Sequence, residues 1–303
     1  MADENKVPVR KVDILKKTLG TDSINEQFKN ALGANSNAFV ASIIDLYTGD
    51  PQLQTCDPNL VVAQALKAAV LKLPINKALG FAFIVVFNNS VKTENGWVKV
   101  PTPTFVPGYK GYIQLAMRTG QYRTMNTDVV YEGELQKVKK LSGEINFDGV
   151  KTSDKIIGYF AYFELLNGFE KTLYIDVEKM SKHAKRYAAS LKNNKDVTVE
   201  TLKILANSEQ SGDKVGWLGN FTDMALKTCL RNLLAKWGYL SVEMQSVLTS
   251  DNEDYDSTDD RNKAINDIRP NNLNIEDTDF TDETTAATTE SETPTPSGDG
   301  PGY

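Results

Sequence analysis

Asn167-Gly168 stands between two strand-like runs, Ile156–Leu165 and Glu170–Ile175. A two-residue reversal needs left-handed backbone, which Asn and Gly tolerate, and its twist matches that of antiparallel strands. The chain must therefore contain a tight antiparallel hairpin. A second hairpin is expected where Phe81–Phe87 faces Gly96–Val100 across a polar turn that includes Asn88, Asn89 and Asn95. Another strand is expected at Arg123–Tyr131.

Helix signals surround these strands. Ser23-Ile24-Asn25-Glu26 reads as a capping box, Phe39–Tyr47 as a second helix, and Asp57-Pro58 as the start of a third that runs to Leu73 before Pro74. Further helices are expected near 108–119, 177–191 and 217–238. Hairpins mixed with helices, without regular strand-helix alternation, indicate an α+β fold with a hairpin-rich antiparallel sheet. The expected organisation is a polar arm at 1–22, a helical lobe at 23–79 that supplies subunit contacts, an α+β core at 80–248 and a disordered acidic tail at 249–303.

Charge separates along the chain. The 303 residues hold 34 Lys and Arg against 40 Asp and Glu, a net charge of −6. After Leu248 there are 15 acidic and 3 basic residues, which leaves 31 basic and 25 acidic before it. A mildly basic body suits a polyanion partner, and a generic globular surface remains open beside that reading. One histidine and two cysteines, Cys56 and Cys229, encode no disulfide framework, zinc centre or Cys–His pair. Both cysteines are expected as small core residues. No phosphate loop, HExxH, CxxC or dinucleotide turn occurs, and the acidic pairs are concentrated in the tail, so a metal-dependent nuclease is the least favoured class. No apolar run approaches the roughly 20 residues that span a bilayer, and the first residues carry no hydrophobic leader, so a soluble intracellular protein is expected.

Three helices carry candidate contacts. In 108–119, Lys110, Gln114 and Arg118 form an i, i+4, i+8 stripe opposite Tyr109, Tyr112, Ile113 and Ala116, and Gly108 and Gly111 are expected to leave backbone N–H groups open to a phosphate. An ordinary solvated face remains the alternative. In 177–191, Lys179, Lys182, His183 and Arg186 oppose Met180, Ala184 and Tyr187, which leaves an anionic partner and a solvated face both open. In 217–238, Asp223 reads as part of a salt-bridge ladder, while for Lys227 and Arg231 DNA contact and internal pairing stay open. Tyr109, Tyr112, Trp97 and Tyr122 are aromatic enough to stack on bases, and each also suits a core.

The strings GYKGYIQLAMRTGQY at 108–122, YFELLNGFEKTLY at 162–174, HAKRYAAS at 183–190 and NFTDMALKTCLRNLLAKWG at 220–238 resemble the RecT family of phage recombinases. The resemblance covers about residues 25–248. It implies binding of single-stranded DNA and of the annealed duplex, ATP-independent annealing of complementary strands, and homo-oligomeric rings or helical filaments. It also implies work beside a phage 5′-to-3′ exonuclease and a host single-strand-binding protein in the bacterial cytoplasm, with no catalytic residue, cofactor or metal. By position it makes Lys110, Arg118, Arg123, Lys185, Arg186, Lys227 and Arg231 candidates for a DNA groove. Gln114, Lys182, Lys99, Tyr109 and Tyr112 rest on the face analysis or on composition. A passive single-strand binder is the alternative function.

The net negative tail should compete with DNA for basic surface. Its removal is expected to tighten binding to a bare oligonucleotide at low salt and leave annealing intact; weaker binding in a titration would contradict competition.

Overall fold

The computed structural model describes residues 10–93, 96–139, 141–192, 194–208 and 216–250. The expected tail lies outside the described residues, apart from Thr249 and Ser250. The chain starts with four helices, α1 (Lys11–Leu19), α2 (Asp22–Leu32), α3 (Ser36–Gly49) and α4 (Pro58–Val70), with short 3-10 turns at Gly33–Asn35 and Leu53–Thr55. A long hairpin, β1 (Ala82–Thr93) and β2 (Gly96–Pro107), leads into α5 (Tyr109–Arg118). Then come β3 (Tyr122–Tyr131), a miniature hairpin β4 (Lys137–Val138) and β5 (Ile145–Asn146), and the pair β6 (Ile156–Leu165) and β7 (Glu170–Asp176). The remainder is helical: α6 (Val177–Tyr187), α7 (Ala189–Lys192), α8 (Val199–Ala206), α9 (Phe221–Trp237) and α10 (Val242–Ser250). The fold is α+β, and every strand pair is antiparallel.

The segment expected as a polar arm is, from Lys11 on, a helix. Leu15 and Leu19 stand one turn apart and are both buried against the lobe. Its five charged or hydroxyl-bearing residues in nine disguised that two-leucine stripe. The capping box at Ser23 also gives way: α2 begins two residues earlier with Thr21 as N-cap, whose hydroxyl donates to the Thr18 carbonyl at 2.7 Å instead of capping α2. At α4 the expectation holds, since the Asp57 carboxylate accepts from the Asn59 N–H at 2.9 Å and Pro58 takes the first turn. That helix stops at Val70, short of Leu73.

The hairpin β1–β2 pairs without interruption from Ala82↔Pro107 to Thr93↔Gly96, longer than expected because the asparagines continue the strand. Ala82, Ile84 and Phe105 bury its base against α4, and Phe105 N–H donates to the Gln64 side chain at 3.1 Å. Farther out, Val98 and Val100 are exposed beside Lys99.

The second sheet runs β3-β6-β7. Gly168 takes φ +82° in the β6–β7 reversal while Asn167 keeps negative φ. Leu165 N–H donates to the Phe169 carbonyl at 2.8 Å and Gly168 N–H to the Leu165 carbonyl at 3.0 Å, so the turn is a three-residue loop, Leu166-Asn167-Gly168, that needs left-handed backbone at the glycine and not the two-residue reversal expected. Tyr159, Ala161 and Phe163 of β6, with Leu173 and Ile175 of β7, form one buried face on which α9 lies. Cys229 of α9 is buried there, its thiol 3.7 Å from the Tyr159 carbonyl; Cys56 is also buried, just before α4 rather than in a helix. On the opposite face Phe147 packs on Phe160 and Tyr174. The final helix α10 carries buried Met244, Val247 and Leu248, so the folded body extends to Ser250 and the tail is best removed after that residue.

Gly108 and Gly111 are both buried, contrary to the expectation that they open the backbone to a ligand. A Cβ at Gly108 would meet the Gly80 carbonyl and the Phe83 ring, and one at Gly111 the Phe81 carbonyl and Leu73. Both are places where α5 touches another segment's backbone. Gly111→Ala is therefore expected to cost about 1–3 kcal/mol by overpacking, measured as a lower midpoint in urea unfolding.

Candidate nucleic-acid interface

The first turn of α5 is stapled to β1 by the Gly108 N–H, which donates to the Phe81 carbonyl at 2.9 Å. Tyr112, Leu115 and Ala116 turn inward, and α5 packs along α9. Tyr112 is fully buried, so it offers no face to a base. Tyr122 is buried too, its hydroxyl donating to the Tyr239 carbonyl at 3.0 Å; burial pushes that phenol up to about 12. The Trp97 side chain lies outside the described residues. Tyr109 is half-buried, and its ring lies 5.9 Å from the Lys110 ammonium.

Outward from α5 point Lys110, Gln114 and Arg118, the stripe read from spacing. Lys110 sits at the positive end of the helix dipole; the Gly108 amide is taken by the Phe81 carbonyl and the Gly111 amide by the Gly108 carbonyl at 3.0 Å, so the ammonium is the donor that this end presents. It makes no salt bridge within 4.0 Å among the described residues. Asp223, at the start of α9, is its electrostatic neighbour: partial burial raises that carboxyl above its ordinary value, and Lys110 pulls it back only in part. Burial likewise raises the Tyr109 phenol, with Asp223 and Asp128 adding to it. Lys110, Tyr109, Asp128 and Asp223 thus share one electrostatic neighbourhood. Lys99 is exposed on the hairpin that leads into α5.

Other expected contacts are tied to the fold. Arg118 donates to two backbone carbonyls, Leu71 at 2.7 Å and Lys72 at 2.9 Å. Lys185 donates to the carbonyls of Leu191 and Asn194, at 2.9 and 2.6 Å, and holds the turn after α6. Lys227 and Arg231 are each only 6% exposed and belong to the interior. Spacing showed their polar stripe but not that α5 runs along the same helix. Arg123 stays exposed and pairs with Glu164 at 2.7 Å.

On α6 the expected division mostly holds. Met180, Ala184 and Tyr187 are buried, while Lys179, Lys182 and Arg186 are exposed. Asp176 caps the helix by accepting from the Lys179 N–H at 2.7 Å. Lys182 is paired with Glu178 at 2.5 Å, and that bond lowers the Glu178 carboxyl and raises the Lys182 ammonium. Arg186 lies 5.2 Å from the Tyr187 ring centre. His183, expected on the basic face, is buried with its ring 5.0 Å from Tyr187; α6 is packed against α7, α8, β6 and β7, which cover more of its circumference than its apolar spacing marks. The Thr198–Thr201 capping box that starts α8 was the available signal for this helix.

Among the described residues no group of three or more His, Cys, Asp or Glu side chains could hold a metal ion, and no helix is long and apolar enough to cross a membrane.

The RecT family model matches residues 37–267. An uncharacterized protein of Bacillus subtilis, YqaK, is 38% identical over 275 residues, covering 89% of this chain and 84% of that protein. Protein RecT of Escherichia coli is 24% identical over 211 residues, covering 67% of this chain and 66% of that protein.

Asp223 supplies the one negative charge of α9's first turn beside Lys110, and its neutralisation should favour a polyanion. Asp223→Asn is expected to tighten single-strand binding roughly 2- to 5-fold at low salt, with the gain shrinking as salt screens it. Because its carboxyl is raised, wild-type affinity should climb as pH falls into the carboxyl range, and the Asn variant should lose that part of the climb. Fluorescence anisotropy titrations across pH and salt check both.

Proposed function

Because the chain belongs to the RecT family of DNA recombination and annealing proteins, we propose that it binds single-stranded DNA along its backbone and pairs complementary strands without ATP. The observation that carries this reading is Lys110: an exposed ammonium at a helix N-terminus, beside a hairpin with Lys99, and with no ion pair within 4.0 Å among the described residues. An exposed ammonium suits a phosphate, and phosphate contacts carry no sequence preference. Gln114 and Tyr109 flank the same surface. Lys182 and Arg186 of α6 form a second basic face that would follow the strand, with Arg123 at the edge of the sheet.

Annealing is downhill, since base-pair steps supply about −1.4 kcal/mol each, so ten steps give on the order of −14 kcal/mol. The protein's task is kinetic: to hold one strand's phosphates while its base edges stay open to a partner. Subunits would assemble through the helical lobe into a ring or filament; the exposed Leu60 and Val70 on the outer side of α4 support this. In this reading the protein works in the bacterial cytoplasm beside a phage 5′-to-3′ exonuclease and the host single-strand-binding protein, and retains the annealed duplex.

Adding a complementary labelled strand separates annealing from passive binding. Acceleration of duplex formation over the protein-free rate supports the proposal, and retardation makes the protein a passive binder. Lys110→Ala should lower the log–log salt slope of binding by roughly 0.7 for any sequence. The double change Lys182→Ala with Arg186→Ala should lower it further with little movement of the thermal midpoint. Unchanged slopes in folded variants would refute these placements.

A further inference from the structure

Arg118 ends the exposed stripe of α5, yet both terminal nitrogens of its guanidinium are committed to backbone just beyond α4. That helix closes in a Schellman turn: Leu73 N–H donates to the Ala68 carbonyl at 3.0 Å and Lys72 N–H to the Ala69 carbonyl at 2.9 Å. The turn places its reversing residue in left-handed backbone, a position that favours glycine because a Cβ crowds the following carbonyl. Here the residue is Lys72, φ +52°, the one non-glycine residue with positive φ among the described residues. Its own carbonyl and that of Leu71 are the two that Arg118 grips.

The chemistry of the grip fits its place. A planar, permanently charged fork meets two carbonyl oxygens at the negative end of a helix dipole, and a charged donor makes the stronger kind of hydrogen bond. Leu73, the next residue, packs where Gly111 leaves room on α5. Glu243 of α10 is close enough to be affected: its carboxyl is lowered first by its own N–H and by Ser241, and then by Lys72 and Arg118. Arg118 thus ties α5 to the end of α4, and α10 packs on α5. The stripe that looked like three equal contacts divides into an outward pair, Lys110 and Gln114, and an anchor.

We infer that Arg118 is a positioning residue: it offsets the left-handed strain at Lys72 and so holds α5, with Lys110 and Gln114, in a fixed relation to the helical lobe. This rests on the reading of Lys110 as a phosphate contact. If DNA binding needs that fixed relation, loss of the anchor weakens binding without removing a charge contact from the DNA.

The test uses the full chain and an oligothymidylate probe, with thermal midpoint, affinity at a temperature well below the midpoint, and salt slope measured on each variant. Arg118→Ala should lower the midpoint and weaken binding several-fold while the slope stays at the wild-type value. Lys72→Gly, which removes the strain, should by itself match or exceed the wild-type midpoint. Added to Arg118→Ala, it should restore most of the midpoint and the affinity. A slope lower by roughly 0.7 in Arg118→Ala, as expected for Lys110→Ala, would make Arg118 a phosphate contact and overturn the inference. A double variant as weak as Arg118→Ala would overturn it too, since the strain would not be what Arg118 offsets. Should Arg118→Ala fail to fold, Arg118→Lys decides: it keeps the charge but not the two-pronged grip, so a wild-type midpoint and affinity sink the anchor. A Lys110→Ala variant with unchanged slope would instead remove the underlying reading of α5 and leave the anchoring result standing.

Discussion

Burial of α9 between the three-stranded sheet and α5 organises the molecule. Along this 17-residue helix Ala225, Leu226, Cys229, Leu230, Leu233 and Leu234 are all buried. A buried Leu side chain stabilises by about 1.5–3 kcal/mol, so the helix can hold the sheet on one side and α5 on the other. With Tyr112, Leu115 and Ala116 committed inward, the direction of Lys110 and Gln114 follows. The start of α5 is held just as firmly, because Gly108 and Gly111 let its backbone touch Gly80 and Phe81.

The basic residues divide into those that hold the fold and those that face outward. Arg118 and Lys185 each give their donors to two carbonyls, and Lys227 and Arg231 lie inside. Buried charge is tolerated only with partners, so such residues add little to the field a polyanion meets. Lys182 and Arg123 face outward but are each paired with a glutamate. The net positive charge of the body therefore overstates the unpaired basic surface that it exposes.

Much of the fold is legible from local chemistry. Asn167-Gly168 marked the β6–β7 reversal, Asp57-Pro58 the start of α4, and the apolar spacing of 177–191 which side of α6 is buried. Each depends on contacts within a few residues, where backbone sterics and helical periodicity dominate. The misses have two causes. Leu15 and Leu19 in α1 and the whole of α10 are short stretches whose stability comes mostly from packing against distant neighbours, whereas the start of α8 carried a local signal, the Thr198–Thr201 capping box, that went unread.

By itself the sequence determined the α+β class, the hairpins, most helix starts, the family resemblance and the outward stripe of α5, since propensity, turn geometry and spacing act locally. Only the tertiary structure decided which members of that stripe stay outward. Arg118 is drawn into the turn that ends α4, and His183, Lys227 and Arg231 are buried, because a side chain's accessibility is set by segments tens of residues away whose approach no helical wheel contains.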